Sequence, residues 1–254
     1  MSATMYPEIH TWFSPLLQRL RAFPSEDYVP LRWELDNAND GQYKRDLRLL
    51  DGDLATAARQ CSNFSRLIRE RRKVGKDLDG ASRLILDKLA EVRAVAGLHA
   101  MGFLDIAFQG TPDLVATDAG TDFAIEVTRL ADSPVDAPAL RGEIQVAVLA
   151  SGDQDAVRKL ANELFGKIEA KQEQLSTVPV PRDHIIWISL GRDYFTAGHY
   201  ERRLTGLRRK MPTLVAGAVE LAAQRVRRDL AYPQLRRIVV CPGREEPEIV
   251  CRLP

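Results

Sequence analysis

The sequence predicts an α/β fold: a helix, a three-stranded meander, a second helix and a further strand, preceded by a mostly helical N-terminal extension. Three observations carry this expectation. Ala81–Met101 keeps Ile85, Leu89, Val92 and Ala96 at three- and four-residue spacing, the period of an amphipathic helix. Thr111–Leu130 (TPDLVATDAGTDFAIEVTRL) holds two short apolar runs on either side of Asp118-Ala119-Gly120-Thr121, a turn by composition. Gln154–Leu175 returns to the helical period, and His184–Leu190 (HIIWISL) follows as a buried strand. Residues 1–80 are accordingly read as the extension and 81–254 as the α/β domain.

At 254 residues the chain can bury a sizeable core. Its 45% hydrophobic and 28% charged residues are those of an ordinary globular protein, and a net charge of +1 identifies no partner. The three cysteines (Cys61, Cys241, Cys251) are odd in number and far apart, which argues against a zinc cluster and a disulfide framework; Cys241 and Cys251, in apolar runs, are expected as buried thiols. The four histidines (His10, His99, His184, His199) form no HExxH-like spacing. No apolar run reaches about 18 residues and no signal peptide is apparent, so the expectation is a cytoplasmic protein with no membrane partner.

In chain order, Ile9–Phe23 has the helical spacing of Trp12, Leu16, Leu17 and Leu20, with Pro24 as its end. Tyr28–Leu35 reads as a short strand or extended segment, and Leu47–Ile68 as helical with a break at Asp51-Gly52. Arg66, Arg69, Arg71, Arg72, Lys73 and Lys76 make a basic run, either a solvated helix end or a phosphate-contacting surface. After the helix over Ala81–Met101, Gly102 is a helix stop and Phe103–Phe108 the first strand of the meander. Glu143–Ala150 is expected as a short extra strand, with a helix as the alternative. In the helix over Gln154–Leu175, Val157, Leu160, Leu164, Ile168 and Leu175 form the inward stripe. At about 100° per residue, Lys171 falls in the middle of that stripe and Lys167 at its edge. Tyr200–Leu230 reads as two helical pieces interrupted at Met211-Pro212, and Ile238–Cys241 with Glu248–Leu253 as a closing hairpin.

The chemistry concentrates in the meander. If Ala119-Gly120 form a two-residue loop, Asp118 faces Thr121 and Asp113 lies directly opposite Glu126. Opposed side chains on one face have Cβ atoms roughly 4.5–5.5 Å apart, and like charges there destabilise a sheet. A divalent cation held by oxygen ligands would compensate. One residue more or less in the loop would send the two acids to opposite faces. The plain alternative makes Asp113 a turn residue and Glu126 a strand-edge charge. Against it, Glu126 sits inside FAIEVTRL, where an acid without a partner is costly. Glu91, beside the apolar edge of Leu84, Val95 and Leu98, is either a boundary residue or a further acid directed at the sheet edge.

The order of elements, with Pro112-Asp113 on the second strand, Glu126-Val127-Thr128 on the third and a preceding helix carrying Glu91, resembles the core of the PD-(D/E)XK nuclease superfamily over roughly Ala81–Leu190. The resemblance implies a restriction-endonuclease-like fold and a Mg²⁺- or Mn²⁺-dependent endonuclease that hydrolyses phosphodiester bonds of DNA, of restriction, repair or mobile-element type. It implies that Asp113, Glu126 and the Val127 carbonyl hold the metal, and that Glu91 serves a second metal or its water. Thr128 stands where the family has lysine and cannot supply a cation. Some members carry that lysine on the following helix, which makes Lys171 the candidate, with Lys167 second.

The basic residues Arg202, Arg203, Arg208, Arg209 and Lys210 are expected to contact DNA phosphates. Cleavage of both strands would be simplest for a homodimer. Thr128 favours a competing reading, a catalytically inactive nuclease-fold module that binds nucleic acid or a protein partner. A third reading is an unrelated α/β protein whose arginines coat solvent-facing helices.

Overall fold

A computed structural model describes residues 5–25, 27, 29–39, 41–69, 78–130, 153–176, 182–190, 211–242 and 248–253. Helices α1 (Pro7–Leu20), α2 (Arg32–Asp36) and α3 (Gly41–Gln60) lead to strand β1 (Cys61–Ser62), then to α4 (Phe64–Arg69) and α5 (Leu78–Ala100). The meander β2 (Leu104–Phe108), β3 (Leu114–Asp118) and β4 (Thr121–Arg129) follows. Then come α6 (Asp153–Ser176), β5 (Asp183–Ser189), α7 (Met211–Asp229), β6 (Leu235–Cys241) and β7 (Ile249–Arg252). The chain is therefore α/β, with the seven strands in one mixed sheet whose spatial order follows chain order. β4, β5 and β6 run parallel, while β2–β4 and the closing β6–β7 hairpin are antiparallel.

The hairpin loop decides the register of the meander. Ala119 and Gly120 both have positive φ (49° and 80°), as a two-residue type I′ turn requires, and this turn matches the twist of the strands it joins. Asp118 pairs with Thr121, and the ladder continues to Leu114 opposite Ile125. Because strand side chains alternate, Phe123, Ile125 and Val127 of β4 join the apolar cluster on the α5 side, while Ala124 joins the cluster under α6 and α7. β5 is buried on both faces, with Ile185 and Trp187 toward α5 and Ile186 and Ile188 toward α6 and α7. A parallel strand covered on both sides reads as the continuous apolar run seen in its sequence.

α5 departs from a one-sided amphipathic helix. Ala81, Leu84, Ile85, Leu86, Leu89, Ala90, Val92, Ala94, Val95 and Leu98 are all buried, so its apolar surface is not one stripe but most of its circumference. A helix that is apolar all round needs cover on both sides. The sheet supplies one side through β2 and β4, and α3, backed by α1, supplies the other. Arg93 of α5 adds polar ties, pairing with Asp53 of α3 at 3.3 Å and with Glu248 ahead of β7 at 2.8 Å.

Several sequence expectations are corrected. The stretch read as strand or extended segment near residue 30 contains α2 instead, whose first turn is closed by Glu34 accepting a hydrogen bond from the Leu31 N–H. α3 continues through Asp51-Gly52 without a break. Gly52 costs the helix roughly 1 kcal/mol relative to alanine, but the buried Leu47, Leu50, Leu54 and Ala57 hold it on both sides. Asp51 also accepts a hydrogen bond from the Ile9 N–H at 2.9 Å, satisfying a donor in the first turn of α1. The helix expected to reach Ile68 stops at Gln60, because Cys61–Ser62 pairs with β2 as an outer strand. Cys61 and Cys241 are buried thiols, whereas Cys251 is only half-buried. The strand expected over Glu143–Ala150 and the helical piece before Met211 lie outside the described residues. Among the described residues no helix is long and apolar enough to cross a membrane.

Gly97 of α5 packs against Trp187 of β5. A Cβ there would overlap Cη2 of the Trp187 indole, a rigid ring that is fully buried. Gly97→Ala is therefore expected to destabilise the fold by about 1–3 kcal/mol through overpacking, despite the roughly 1 kcal/mol that alanine gains in helix propensity. A lower midpoint of chemical denaturation with an unchanged slope is the expected measurement.

Candidate active site

β3 ends at Leu114, but β4 runs on to Arg129. From Glu126 onward β4 is paired with β5 alone, so its other edge has no neighbouring strand among the described residues. Asp113, the residue before β3, closes part of that edge: its Oδ2 accepts a hydrogen bond from the Val127 N–H at 2.9 Å. The ladder thus places Asp113 opposite Glu126, as the loop chemistry predicts. N–H and C=O of one strand residue point to the same edge, so the Val127 carbonyl also faces this gap.

Glu126 belongs to the α6 side of the sheet and is completely buried. Lys171 reaches it from α6, donating from Nζ to Glu126 Oε2 at 2.8 Å and to Gln174 Oε1 at 2.9 Å. Its neighbours on the helix stripe, Ile168 and Leu175, are buried, so the ammonium is carried inward by the packing of α6. The other oxygen, Glu126 Oε1, is buried with no hydrogen-bond partner among the described residues. Burial pushes the Glu126 carboxyl up to about 7, the Asp113 charge pushes in the same direction, and Lys171 pulls against both. On the same side, the buried Tyr232 hydroxyl lies 2.8 Å from His184 Nδ1. Burial raises the Tyr232 phenol above its ordinary value, and the charge of Glu126 adds to that.

The α5 side contributes a second set of polar groups. Glu91 is buried and receives a hydrogen bond from Lys88 Nζ at 2.7 Å; Lys88 is itself buried, 5.5 Å from the centre of the Phe108 ring. Arg129, at the end of β4, donates from Nε to Asp87 Oδ1 at 2.9 Å. A cavity of about 300 Å³ opens between the two helices at the uncovered edge of β4; Glu91, Asp113, Thr128, Arg129, Lys167 and Lys171 are among its walls.

The structure thus brings Asp113, Glu126, Val127 and Lys171 into direct contact and sets Glu91 and Lys167 on the same cavity. The expected DNA contacts Arg202, Arg203, Arg208, Arg209 and Lys210 lie outside the described residues, as do Arg71, Arg72, Lys73 and Lys76. Described arginines further along that segment are engaged within the chain. Arg225 donates to Asn162 and stacks 3.9 Å from the Phe165 ring centre, Arg236 pairs with Asp183, and Arg237 pairs with Asp118 between the Phe103 and Phe123 rings. Sequence reasoning missed Lys88, Asp87 and Arg129. The signal available for the first was the i, i+3 pairing with Glu91 on a helix apolar on most sides; Asp87–Arg129 is a contact between distant segments and leaves no local trace.

Among the described residues no group of three or more His, Cys, Asp or Glu side chains is placed to hold a metal ion. A cation here would take two carboxylates, a backbone carbonyl and waters, which is how Mg²⁺ is commonly held. The unpartnered Glu126 Oε1 and the repulsion from Asp113 are what such an ion would relieve, so the residues fit it.

No protein-family model, curated protein or solved structure matches the chain.

The buried carboxyl makes a prediction about the metal-free protein. Glu126 titrates near 7 when folded against an ordinary 4.5, so the folded state binds the extra proton between these values. That stability contribution is complete below about pH 4.5 and is lost as pH rises through about 7. Thermal melting in chelator from pH 5 to 8 should show this decline, and Glu126→Gln should flatten the curve.

Proposed function

We propose that this chain is a metal-dependent nuclease of PD-(D/E)XK type, with a restriction-endonuclease-like core, that hydrolyses phosphodiester bonds of DNA. The single observation that carries the reading is the contact of Lys171 with Glu126: the ammonium absent at Thr128 arrives from α6 beside the opposed acids. The order α5, β2–β4, α6, β5 supports it, as does the open edge at which the acids meet.

Asp113, Glu126 and the Val127 carbonyl would hold Mg²⁺ or Mn²⁺. When bound, the ion supplies a Lewis acid for the phosphoryl oxygen and lowers the pKa of a water beside it. The chain's own part is largely positioning. Asp113 is oriented by the Val127 N–H, so its carboxylate is aimed before any ligand arrives. Lys171, held on two sides by Glu126 and Gln174, keeps a fixed positive charge where negative charge builds up on the phosphoryl oxygens. Glu91, anchored by Lys88, presents a further acceptor to the cavity for a water or a second ion.

A second reading, a nuclease-fold module that binds nucleic acid or a protein partner without cutting, is favoured by Thr128. Incubation of purified protein with supercoiled plasmid and Mg²⁺ separates the two. The nuclease reading expects nicking or linearisation that chelator stops, that Asp113→Ala with Glu126→Ala abolishes, and that Lys171→Ala slows by about 10²–10³-fold. Cleavage surviving the double substitution would remove this site from the reaction. Salt-dependent DNA binding with no cleavage under any divalent metal would support the second reading.

A further inference from the structure

We infer that Arg129 is the centre of a phosphate-binding subsite next to the carboxylates. The inference deepens the reading of this cavity as a phosphodiester site and rests on it. Arg129 is more than nine-tenths buried and lines the cavity, yet its Nη1 has no hydrogen-bond partner among the described residues. A buried guanidinium N–H left unmade is costly, more so than for a neutral donor. Asp87 holds the other side of the fork through Nε, which fixes the plane of the guanidinium in the cavity wall. A planar fork held in this way suits tetrahedral oxyanions, which accept from more than one N–H.

The surroundings specify an anion. Arg83 from α5 and Lys167 from α6 line the same cavity, on the two helices that flank β4. Arg129 stands three residues beyond Glu126, about 10 Å along the strand, and alternation puts it on the α5 face instead of the α6 face. The anion it takes is therefore not the group at the carboxylates but a neighbouring phosphate of the same strand. Asp87 acts as a positioning residue, through Arg129.

The test uses the full chain in chelator, so that neither metal nor cleavage enters. Binding of inorganic phosphate and of a short oligothymidylate, with and without a terminal phosphate, is measured by calorimetry over a range of salt. The wild type should bind, and Arg129→Gln should weaken binding by about tenfold or more and reduce the salt slope by about one. Arg129→Lys, which keeps the charge and volume closest to native, should restore the slope but not the affinity; Asp87→Asn should weaken binding with the slope unchanged. Loss confined to inorganic phosphate and the phosphorylated end identifies a terminal-phosphate site; loss with both oligonucleotides identifies an internal one. No binding by the wild type, or affinities and slopes in folded Arg129→Gln or Arg129→Lys equal to wild type, would overturn the subsite. Binding through Arg129 without cleavage in the plasmid assay leaves the subsite standing and removes the nuclease reading, whereas cleavage with binding indifferent to Arg129 does the reverse.

Discussion

The constraint on which the site depends is a fully buried carboxylate, Glu126, with a second carboxylate opposite it just ahead of the neighbouring strand. Like charges so placed oppose the sheet pairing that creates them, and burial penalises the ionised form further. Three hydrogen bonds bear on this difficulty. The Val127 N–H takes an oxygen of Asp113, α6 delivers Lys171 to one oxygen of Glu126, and Gln174 holds Lys171 from behind. Buried ion pairs of this kind contribute little net stability, because desolvation offsets the attraction. An apolar residue at 126 would be the better choice for a sheet under a helix. A chain that instead keeps an acid there, with one oxygen unpartnered, departs from local packing logic where functional sites do so.

How much of this was legible depended on the distance over which each signal acts. The turn at Ala119-Gly120 is local, and because a strand has period two, two residues with positive φ are enough to put Asp113 opposite Glu126, a residue well beyond the turn. Lys171 was legible for a similar reason, since helical phase alone carries it into the stripe between Ile168 and Leu175. The α5 side was less legible. The stripe of Ile85, Leu89, Val92 and Ala96 marks one buried face, but Ala81, Leu86, Ala90 and Ala94 are buried too, against helices nearly forty residues earlier that no period connects to them. The partners Lys88–Glu91 and Asp87–Arg129 sit in that doubly covered layer, where charged residues look like the solvent face of an ordinary amphipathic helix.

That layer also accounts for the N-terminal helices. Without α3 and α1, the outer side of α5 would expose a strip of leucine, valine and alanine of the kind a monomeric chain rarely leaves uncovered. Covered, α5 is held between the sheet and α3, and Arg93 ties it both to α3 and to the segment before β7. Asp87 and Glu91 are therefore carried by an element with little freedom to move, as precise positioning of polar groups requires. The close approach of Gly97 to Trp187 belongs to the same packing, since it brings α5 against a buried ring of the central strand.

The two helices reach the site from opposite faces of the sheet, and β4 beyond Ile125 is where both faces meet an edge with no neighbouring strand among the described residues. On the proposed nuclease reading, this geometry lets Lys171 stand in for the lysine absent at position 128. Position 128 lies on the same face of β4 as Glu126, two residues on, and that is the face α6 covers. What the chemistry requires is an ammonium at a point in space, not a residue at a point in the chain. A side chain from the helix above can occupy that point as well as one from the strand below, provided the helix is packed tightly enough to set its phase. The burial of Leu164, Ile168 and Leu175 under the sheet sets that phase, and with it the position of the charge at Glu126.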